Sequence, residues 1–197
     1  MSRLLLVSAA TTGEPVSRSE VKTWLRLDEH EVSEDALLDS LITRARQRFE
    51  EMTQRSALHQ TFDCYLDEEP DSGCPITIPK APLVSVTSIK GFSSTEATDT
   101  GGTAMSTSDW YVDTASEFGR VYPVSGATYP TATRDLNPAI VRFTARYSSG
   151  SSGVPDGVKT EIKQLVAALY EHRGDEIEQA RILEAYGGAE YALPTWG

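Results

Sequence analysis

The chain has 197 residues, of which 39% are hydrophobic and 24% are charged, and its formal net charge is -11 at pH 7. This length and composition are typical of a soluble globular protein that buries a core of its own. The negative charge argues against a nucleic-acid-binding surface, because affinity for DNA comes mainly from cations that neutralise phosphates. The apolar run 4–7 is too short to span a membrane, and we expect it to be an extended segment that packs on the core.

Two helices joined by a short acidic turn are predicted near the N-terminus. Ser17 and Glu20 have the spacing of a capping box, in which each side chain satisfies a free backbone N–H in the first turn of a helix. Ser33 is the expected N-cap of the second helix, whose first turn carries the acidic residues Glu34 and Asp35. The second helix presents one apolar stripe, formed by Leu37, Leu38, Leu41, Ile42, Ala45, Phe49 and Met52. This stripe requires a partner surface from later in the chain.

Arginines cluster in the second helix and just after it, at Arg44, Arg46, Arg48 and Arg55. They could line a DNA channel. We expect instead a solvated helix face, with these arginines paired to acids on the same or a neighbouring subunit, because charge runs usually have that role.

After the second helix, the period of the apolar residues changes to the two-residue repeat of strands. Short segments rich in β-branched and aromatic residues predict strands at 62–66, 76–78, 83–90, 110–113, 118–122 and 139–147. Serine, threonine, glycine and alanine dominate residues 93–108, where we expect a mobile hairpin tip. Pro155 suits the first turn of a third helix, and Asp175 can cap a fourth.

These elements predict an α+β fold, in which a helical bundle of about four helices carries an inserted small antiparallel β-module. The expected parts are an N-terminal segment with a helical hairpin, the β-module, the C-terminal helices that complete the bundle, and a tail, at residues 1–61, 62–147, 148–188 and 189–197. The core of the bundle is expected to contain Trp24, Leu38, Leu41, Ile42, Phe49, Ile162, Leu165 and Leu169.

The tail that follows the glycine pair 187–188 is unusually rich in aromatic and proline residues. Chain ends are usually frayed and polar, whereas this one contains Tyr191, Leu193, Pro194 and Trp196. Large aromatic side chains of this kind are typical anchors of protein–protein interfaces. Partner binding and simple folding back onto the protein are the two alternatives for Trp196.

The sequence offers no converging set of catalytic or metal-binding residues. The three histidines, His30, His59 and His172, lie in no triad-like or metal-binding pattern. The acidic run 67–71 lacks the ligand spacing of a calcium loop, so an exposed turn is the better interpretation. We therefore expect no catalytic activity, no cofactor and no metal.

The order of several short segments forms one further pattern. In the N-terminal part these segments are Pro15-Val16-Ser17, Glu20-Val21-Lys22, Leu25-Arg26-Leu27-Asp28, Leu37-Leu38, Leu41-Ile42, Ala45-Arg46 and Gln60-Thr61. Farther along they are Ile76-Thr77-Ile78-Pro79, Pro82-Leu83-Val84-Ser85-Val86, Tyr111-Val112-Asp113, Val154-Pro155 and Tyr170-Glu171-His172-Arg173. In this order and spacing the chain resembles the head–tail connector (adaptor) proteins of long-tailed phages and gene transfer agents, and the resemblance covers most of its length.

The resemblance implies a structural protein of the neck of a phage or phage-like particle, assembled in the host cytoplasm. Such a protein forms a ring, dodecameric by family resemblance, under the portal, where it extends the DNA channel and joins head to tail. The implied partners are the portal protein, a stopper or tail-side neck protein, and further copies of the chain, while DNA passes through the lumen without specific binding. The tail residues Tyr191, Leu193, Pro194 and Trp196 are the candidate portal-binding element. The alternatives are another neck component such as a stopper, or a small soluble enzyme or accessory protein.

Overall fold

The computed structural model describes residues 3–8, 13–96, 98–147 and 153–186. Within these residues the chain forms four helices and eight strands. The helices are α1 (Arg18–Leu25), α2 (Asp35–Thr53), α3 (Asp156–Glu171) and α4 (Glu176–Ala185). The strands are β1 (Arg3–Ser8), β2 (Gln60–Leu66), β3 (Ile76–Thr77), β4 (Leu83–Gly91), β5 (Thr103–Ala104), β6 (Trp110–Asp113), β7 (Arg120–Pro123) and β8 (Ala139–Ala145).

The chain divides into two compact units. The β unit consists of Met1–Ala10 and His59–Arg146 and contains all eight strands. The helical unit consists of Thr11–Leu58 and Tyr147–Gly197 and contains all four helices. The N-terminal strand belongs to the β unit because β1 pairs antiparallel with β2.

The predicted fold class, a helical bundle with a small inserted β-module, was wrong. The fold mixes helices and strands, but the strands form two antiparallel sheets, a five-stranded one in the order β1-β2-β8-β4-β5 and a three-stranded one in the order β3-β7-β6. The error has a physical cause. A two-residue period predicts each strand locally, but it does not tell which strands pair, and here pairing brings the N-terminal strand into a sheet whose other strands begin at residue 60.

The β unit has an apolar core to which both sheets contribute. Phe62 and Phe143 lie opposite each other on β2 and β8, and their rings stack with centroids 5.5 Å apart. Trp110 of β6 and Val121 of β7 join them from the smaller sheet. The other buried members of this core are Cys64, Ile76, Ile78, Leu83, Ile89, Met105, Tyr129, Val141 and Ala145.

The stretch 93–108 is anchored to the β unit at several points that its composition did not predict. The Glu96 carboxylate accepts hydrogen bonds from the backbone N–H groups of Ser93 and Gly102, each 2.6 Å long, and these bonds lower the pKa of Glu96. Gly102 has a φ of +89°, and a Cβ there would lie 2.8 Å from the Phe92 ring, so glycine is required. Met105 is buried in the core of the unit.

The helical unit is built around the apolar faces of α2 and α3. Ser17 caps α1 in the predicted capping box with Glu20. The N-cap of α2 is Glu34 rather than Ser33, and it makes no side-chain cap hydrogen bond. The predicted core residues on these two helices are all buried, namely Leu38, Leu41, Ile42, Phe49, Ile162, Leu165 and Leu169.

Trp24 was expected in the core, but it is 44% exposed. The buried face of α1 is formed by Val21 and Lys22. At 3.6 residues per turn, Trp24 lies about 110° around the helix from the middle of that face. Its ring instead packs beneath Lys163, whose Nζ lies 4.9 Å from the ring centroid. Of the helices described, none is long and apolar enough to cross a membrane.

Candidate assembly surfaces

The described residues include no group of three or more His, Cys, Asp or Glu side chains placed to hold a metal ion. The polar side chains that converge do so to fix loops and helix ends. The other candidate sites are surfaces, first on the helical unit and then on the β unit.

A buried lysine fixes the connection between α1 and α2. The Lys22 side chain is only 6% exposed, and its Nζ lies 2.6 Å from Asp35 Oδ1. The same ammonium group donates hydrogen bonds to the carbonyl oxygens of Glu31, at 2.5 Å, and Glu29, at 3.2 Å. The ion pair with Lys22, with a further contribution from Arg18, holds the pKa of Asp35 below its usual range. The predicted acidic turn between the two helices is thus attached to both of them through Lys22.

A second set of charges connects the residues before α1 to the residues after α2. Arg46 Nε lies 2.6 Å from Glu14 Oε2, and Arg46 Nη1 lies 2.8 Å from Glu50 Oε2. The other oxygen of Glu50 accepts a hydrogen bond of 2.9 Å from the Ala57 backbone N–H. Each of these charges therefore has a partner within the helical unit.

The remaining arginines of the predicted cluster also bind within the unit. Arg44 and Arg48 contact α4, since Arg44 Nη1 donates to Gln179 Oε1 and Arg48 Nε donates to the Leu183 carbonyl, both at 2.6 Å. Arg55 Nη1 donates to the Tyr147 hydroxyl at 3.0 Å. These contacts favour a structural role over a DNA-lining role, because the guanidinium groups already serve as donors inside the chain.

Helix α4 is attached by polar contacts and has no buried residue. Besides the arginine contacts, the hydroxyl of Tyr186, which ends α4, donates to Glu161 Oε2 at 2.5 Å, and burial together with this bond raises the pKa of Tyr186. Ile177 on α4 is 78% exposed. The predicted tail residues Tyr191, Leu193, Pro194 and Trp196 lie outside the described residues.

The β unit presents a different kind of surface, made of strand edges that carry exposed apolar side chains. β1 is one edge of the five-stranded sheet, and its residues Leu5, Leu6 and Val7 are 43%, 48% and 45% exposed. β6 is one edge of the three-stranded sheet, and its Tyr111 is 54% exposed. Sequence reasoning missed both edges. The run 4–7 did contain a signal, because continuous apolar residues are typical of a strand that is covered on both faces.

Together these features define an α+β protein with two compact units, whose β unit exposes apolar side chains at strand edges. The sequence model of the family described as phage gp6-like head-tail connector protein matches residues 18–98. This match confirms, over residues 18–98, the resemblance to head–tail connector proteins predicted from the sequence. No curated protein matches the chain.

Solved structures with a similar fold come from gene transfer agent (GTA) particles. A chain in the neck of an empty GTA particle, computed with C6 symmetry, is 21% identical, with a TM-score of 0.74 and coverage of 99% of this chain and 98% of that chain. A chain in the virion of a native GTA particle is 22% identical, with a TM-score of 0.72 and coverage of 92% and 93%. A chain in the neck of a native GTA particle, computed with C12 symmetry, is 19% identical, with a TM-score of 0.68 and coverage of 99% and 98%. The fold is therefore shared along nearly the whole length of both chains.

Proposed function

We propose that this chain is the adaptor of a phage or phage-like particle, which assembles as a ring under the portal, extends the DNA channel and joins head to tail. The observation that carries the proposal is the fold similarity, along nearly the entire chain, to subunits of particle necks with sixfold and twelvefold symmetry. The family match to head–tail connectors supports it independently from the sequence of residues 18–98.

The proposed mechanism is repetition of modest contacts. In a closed ring every subunit uses the same two surfaces, so a contact that is weak for one pair is multiplied around the circle. We propose a dodecamer, which is located in the particle neck and assembled in the host cytoplasm. Its other partners are the portal protein on one side and a stopper or tail-side neck protein on the other.

The C-terminal tail is the proposed portal anchor, through Tyr191, Leu193, Pro194 and Trp196. Its support is the position of the last described residues. The Tyr186–Glu161 hydrogen bond fixes the end of α4 on α3, and residues 187–197 follow directly from this fixed point. Eleven residues with three large apolar side chains are sufficient to order on a partner's surface.

The proposed relation to DNA is passage without specific binding. The chain has 29 acidic side chains against 18 lysines and arginines, so a ring of copies carries a large negative charge that repels phosphates. We expect no retention of DNA at physiological salt in a filter-binding assay with the purified protein. Retention that weakens steeply with added salt would contradict this part of the proposal.

The experiment that tests the proposed function is co-sedimentation with the portal ring encoded by the same genome. The full chain and a variant truncated after Gly188 are compared, with circular dichroism to confirm that both are folded. We expect the full chain to sediment with the portal and the truncated chain to stay in the supernatant. If both forms bind, the tail is not the anchor. If neither binds the portal but the full chain sediments with the tail-side neck protein, the stopper alternative replaces the adaptor.

The stretch 93–108 is the proposed contact with a neighbouring subunit or with the next ring. Its support is that β5, within this stretch, pairs with Lys90 and Gly91 at the end of β4, so part of the stretch lies at an edge of the five-stranded sheet. Replacing residues 97–100 by two glycines keeps the Glu96 and Gly102 anchors and shortens only the tip. Neck assembly that proceeds unchanged with this variant would contradict the proposed contact.

A further inference from the structure

The first observation is that β1 has apolar residues on both of its faces, and of these only Leu4 packs against the core of the β unit. Leu4 lies opposite Cys64 and Leu6 opposite Phe62, so these leucines share the face of the buried core residues of β2. Leu5 lies opposite Asp63 and points to the other face. Leu5, Leu6 and Val7 are nevertheless all between 43% and 48% exposed. A strand that is apolar on both faces is typical of the interior of a sheet, and here it stands at the edge.

The second observation is that the exposed edge has none of the usual protections. Edge strands are normally short, or carry lysine, proline or a covering segment, because their free N–H and C=O groups pair readily with another strand. β1 has six residues with a single charge, Arg3, and no proline. Among the described strands β1 pairs on one side only, with β2. The chemical partner that fits this edge is an extended strand of another chain.

The third observation identifies a matching edge on the same chain. A ring requires two different surfaces on each subunit, since a surface that binds only itself closes a dimer. Four described strands lie at sheet edges, namely β1, β3, β5 and β6. Of these, β3 and β5 have only two residues each. β6 has four residues and carries the exposed Tyr111 beside Tyr122, with ring centroids 5.8 Å apart.

The two edges are complementary in an antiparallel arrangement. Pairing residues 3–6 of one copy with residues 110–113 of the next, in opposite directions, sets Arg3 opposite Asp113 and Leu5 opposite Tyr111. Opposite charges and aromatic–aliphatic pairs are the cross-strand contacts that stabilise antiparallel sheets. The same register sets Leu4 and Leu6 opposite Val112 and Trp110, the apolar side of β6.

We propose that the subunits of this protein join by strand addition, with the β1 edge of one copy pairing antiparallel with the β6 edge of the next and Leu5 lying opposite Tyr111. This inference deepens the proposed function and rests on it for the ring, because it names the surfaces that hold neighbouring subunits together. It adds one continuous row of backbone hydrogen bonds between the five-stranded sheet of one copy and the three-stranded sheet of its neighbour.

The first test is disulfide formation between copies. Two variants, Leu5→Cys and Tyr111→Cys, are made separately in a Cys74→Ser background, which removes the exposed native cysteine and leaves the buried Cys64. Opposed residues in an antiparallel pair have Cα atoms about 4.5–5.5 Å apart, a distance that a disulfide can bridge. We expect a mixture of the two variants, assembled on the portal ring or at high concentration, to give covalent dimers on mild oxidation. The doubly substituted chain should give longer covalent chains.

The matched control pairs Leu5→Cys with Leu136→Cys, an apolar residue of the β unit that is 73% exposed but lies outside both edges. This mixture should not form heterodimers. Crosslinks of Leu5→Cys with itself alone would indicate a self-pairing edge and would overturn the proposal. Absence of the Leu5–Tyr111 crosslink in assembled protein, or absence of any self-association, would also overturn it.

The second test is a charge swap measured by sedimentation velocity. Leu5→Lys should weaken self-association about tenfold or more, because the lysine must be desolvated at the joint. Adding Tyr111→Glu should restore most of the loss, while Ile177→Lys on α4 should assemble like the unmodified protein. Equal assembly of all variants contradicts the proposal. Portal binding by Leu5→Lys distinguishes the two hypotheses. If this variant binds the portal but fails to self-associate, the proposed function holds and the self-association depends on the β1 edge.

Discussion

The two units of the molecule are stabilised by different kinds of contact. The helical unit uses ion pairs to attach its loops. In two of these pairs one partner is less than 10% exposed, namely Lys22 in Lys22–Asp35 and Glu50 in Arg46–Glu50. The β unit stacks aromatic rings in its core, as at Phe62 and Phe143, and leaves apolar side chains exposed at its edges. Most of the described ion pairs lie in the helical unit, where the cations are Arg18, Lys22, Arg46, Arg48, Arg173 and Arg181. In the β unit the paired cations are Arg120, Arg134 and Arg142.

This difference indicates a division of labour. A unit whose loops are fixed by charges has a defined surface in the free subunit, so it suits docking that depends on shape. A unit with exposed apolar strand edges suits the assembly that we propose. The comparison makes distinct predictions for the two units, because apolar packing responds to loss of volume and ion pairs respond to loss of charge or to pH.

The largest effect is expected in the aromatic core of the β unit. Phe143 is fully buried, and Phe143→Ala removes its ring from the stack with Phe62 and leaves a cavity. We expect the free energy of unfolding to fall by about 3–5 kcal/mol, measured by urea denaturation. The control Phe143→Leu keeps most of the volume and should cost less than about 1.5 kcal/mol. Equal losses for the two variants would contradict this expectation, because they would show that stacking of the ring, rather than the volume it fills, determines the stability at this position.

The next effect tests the buried charge of the helical unit. Lys22→Met keeps the aliphatic stem but removes the ion pair with Asp35 and the hydrogen bonds to the Glu29 and Glu31 carbonyls. Because the acceptors remain partly buried, we expect a loss of about 1–3 kcal/mol in the free energy of unfolding. The matched control is Arg18→Met, which removes the other cation bound to Asp35. The Arg18 side chain is 41% exposed. The loss from Arg18→Met should be clearly smaller, and a loss as large would show that burial of the lysine is unimportant.

A smaller effect separates the predicted caps from the observed ones. Ser17 accepts a hydrogen bond of 3.2 Å from the Glu20 backbone N–H, so Ser17→Ala should cost about 1 kcal/mol in thermal or urea unfolding. Ser33 was expected to cap α2, but Glu34 stands at that position. Ser33→Ala should therefore change stability much less than Ser17→Ala. A larger loss of stability for Ser33→Ala than for Ser17→Ala would mean that Ser33 caps α2, as the sequence predicted.

The features that could be predicted from the sequence are those that depend on residues close together in the chain. The capping box at Ser17, the apolar stripe of α2 and the strand at Trp110–Asp113 all follow from local spacing, and the structure has them at these positions. The pairing of β1 with β2 joins residues about sixty positions apart, and a local period contains no information about it. The predicted fold class was wrong for this reason, although most of its individual elements were right.

The surfaces were less predictable than the elements, because exposure depends on neighbours. Trp24 has the spacing of a core residue, yet the short helix α1 turns it away from the buried side that contains Lys22. The apolar run that contains Leu5 is extended as predicted, and Leu4 packs on the core, but nothing in the sequence shows that the run stands at the edge of a sheet. The tail was selected for composition alone, and its role stays a prediction.

The smallest expected effect is a dependence of the helical unit on pH through Asp35, the first residue of α2. The ion pair with Lys22 and the adjacent Arg18 lower the pKa of this carboxyl group in the folded protein, and its position at the helix N-terminus favours the same charge. Because the folded pKa is below the unfolded value of about 3.9, the stabilisation is fully present at neutral pH and is lost as the pH falls through the folded pKa. The variant Asp35→Asn should therefore be less stable than the unmodified protein at pH 7, and the difference in urea midpoint should narrow once the pH falls below about 4. Glu171→Gln, at the exposed end of α3, serves as the control and should give a small difference throughout. A difference for Asp35→Asn that stays constant from pH 7 to acid would show that the carboxylate acts only as a hydrogen-bond acceptor, and the charge-based description of the α1–α2 connection would have to be abandoned.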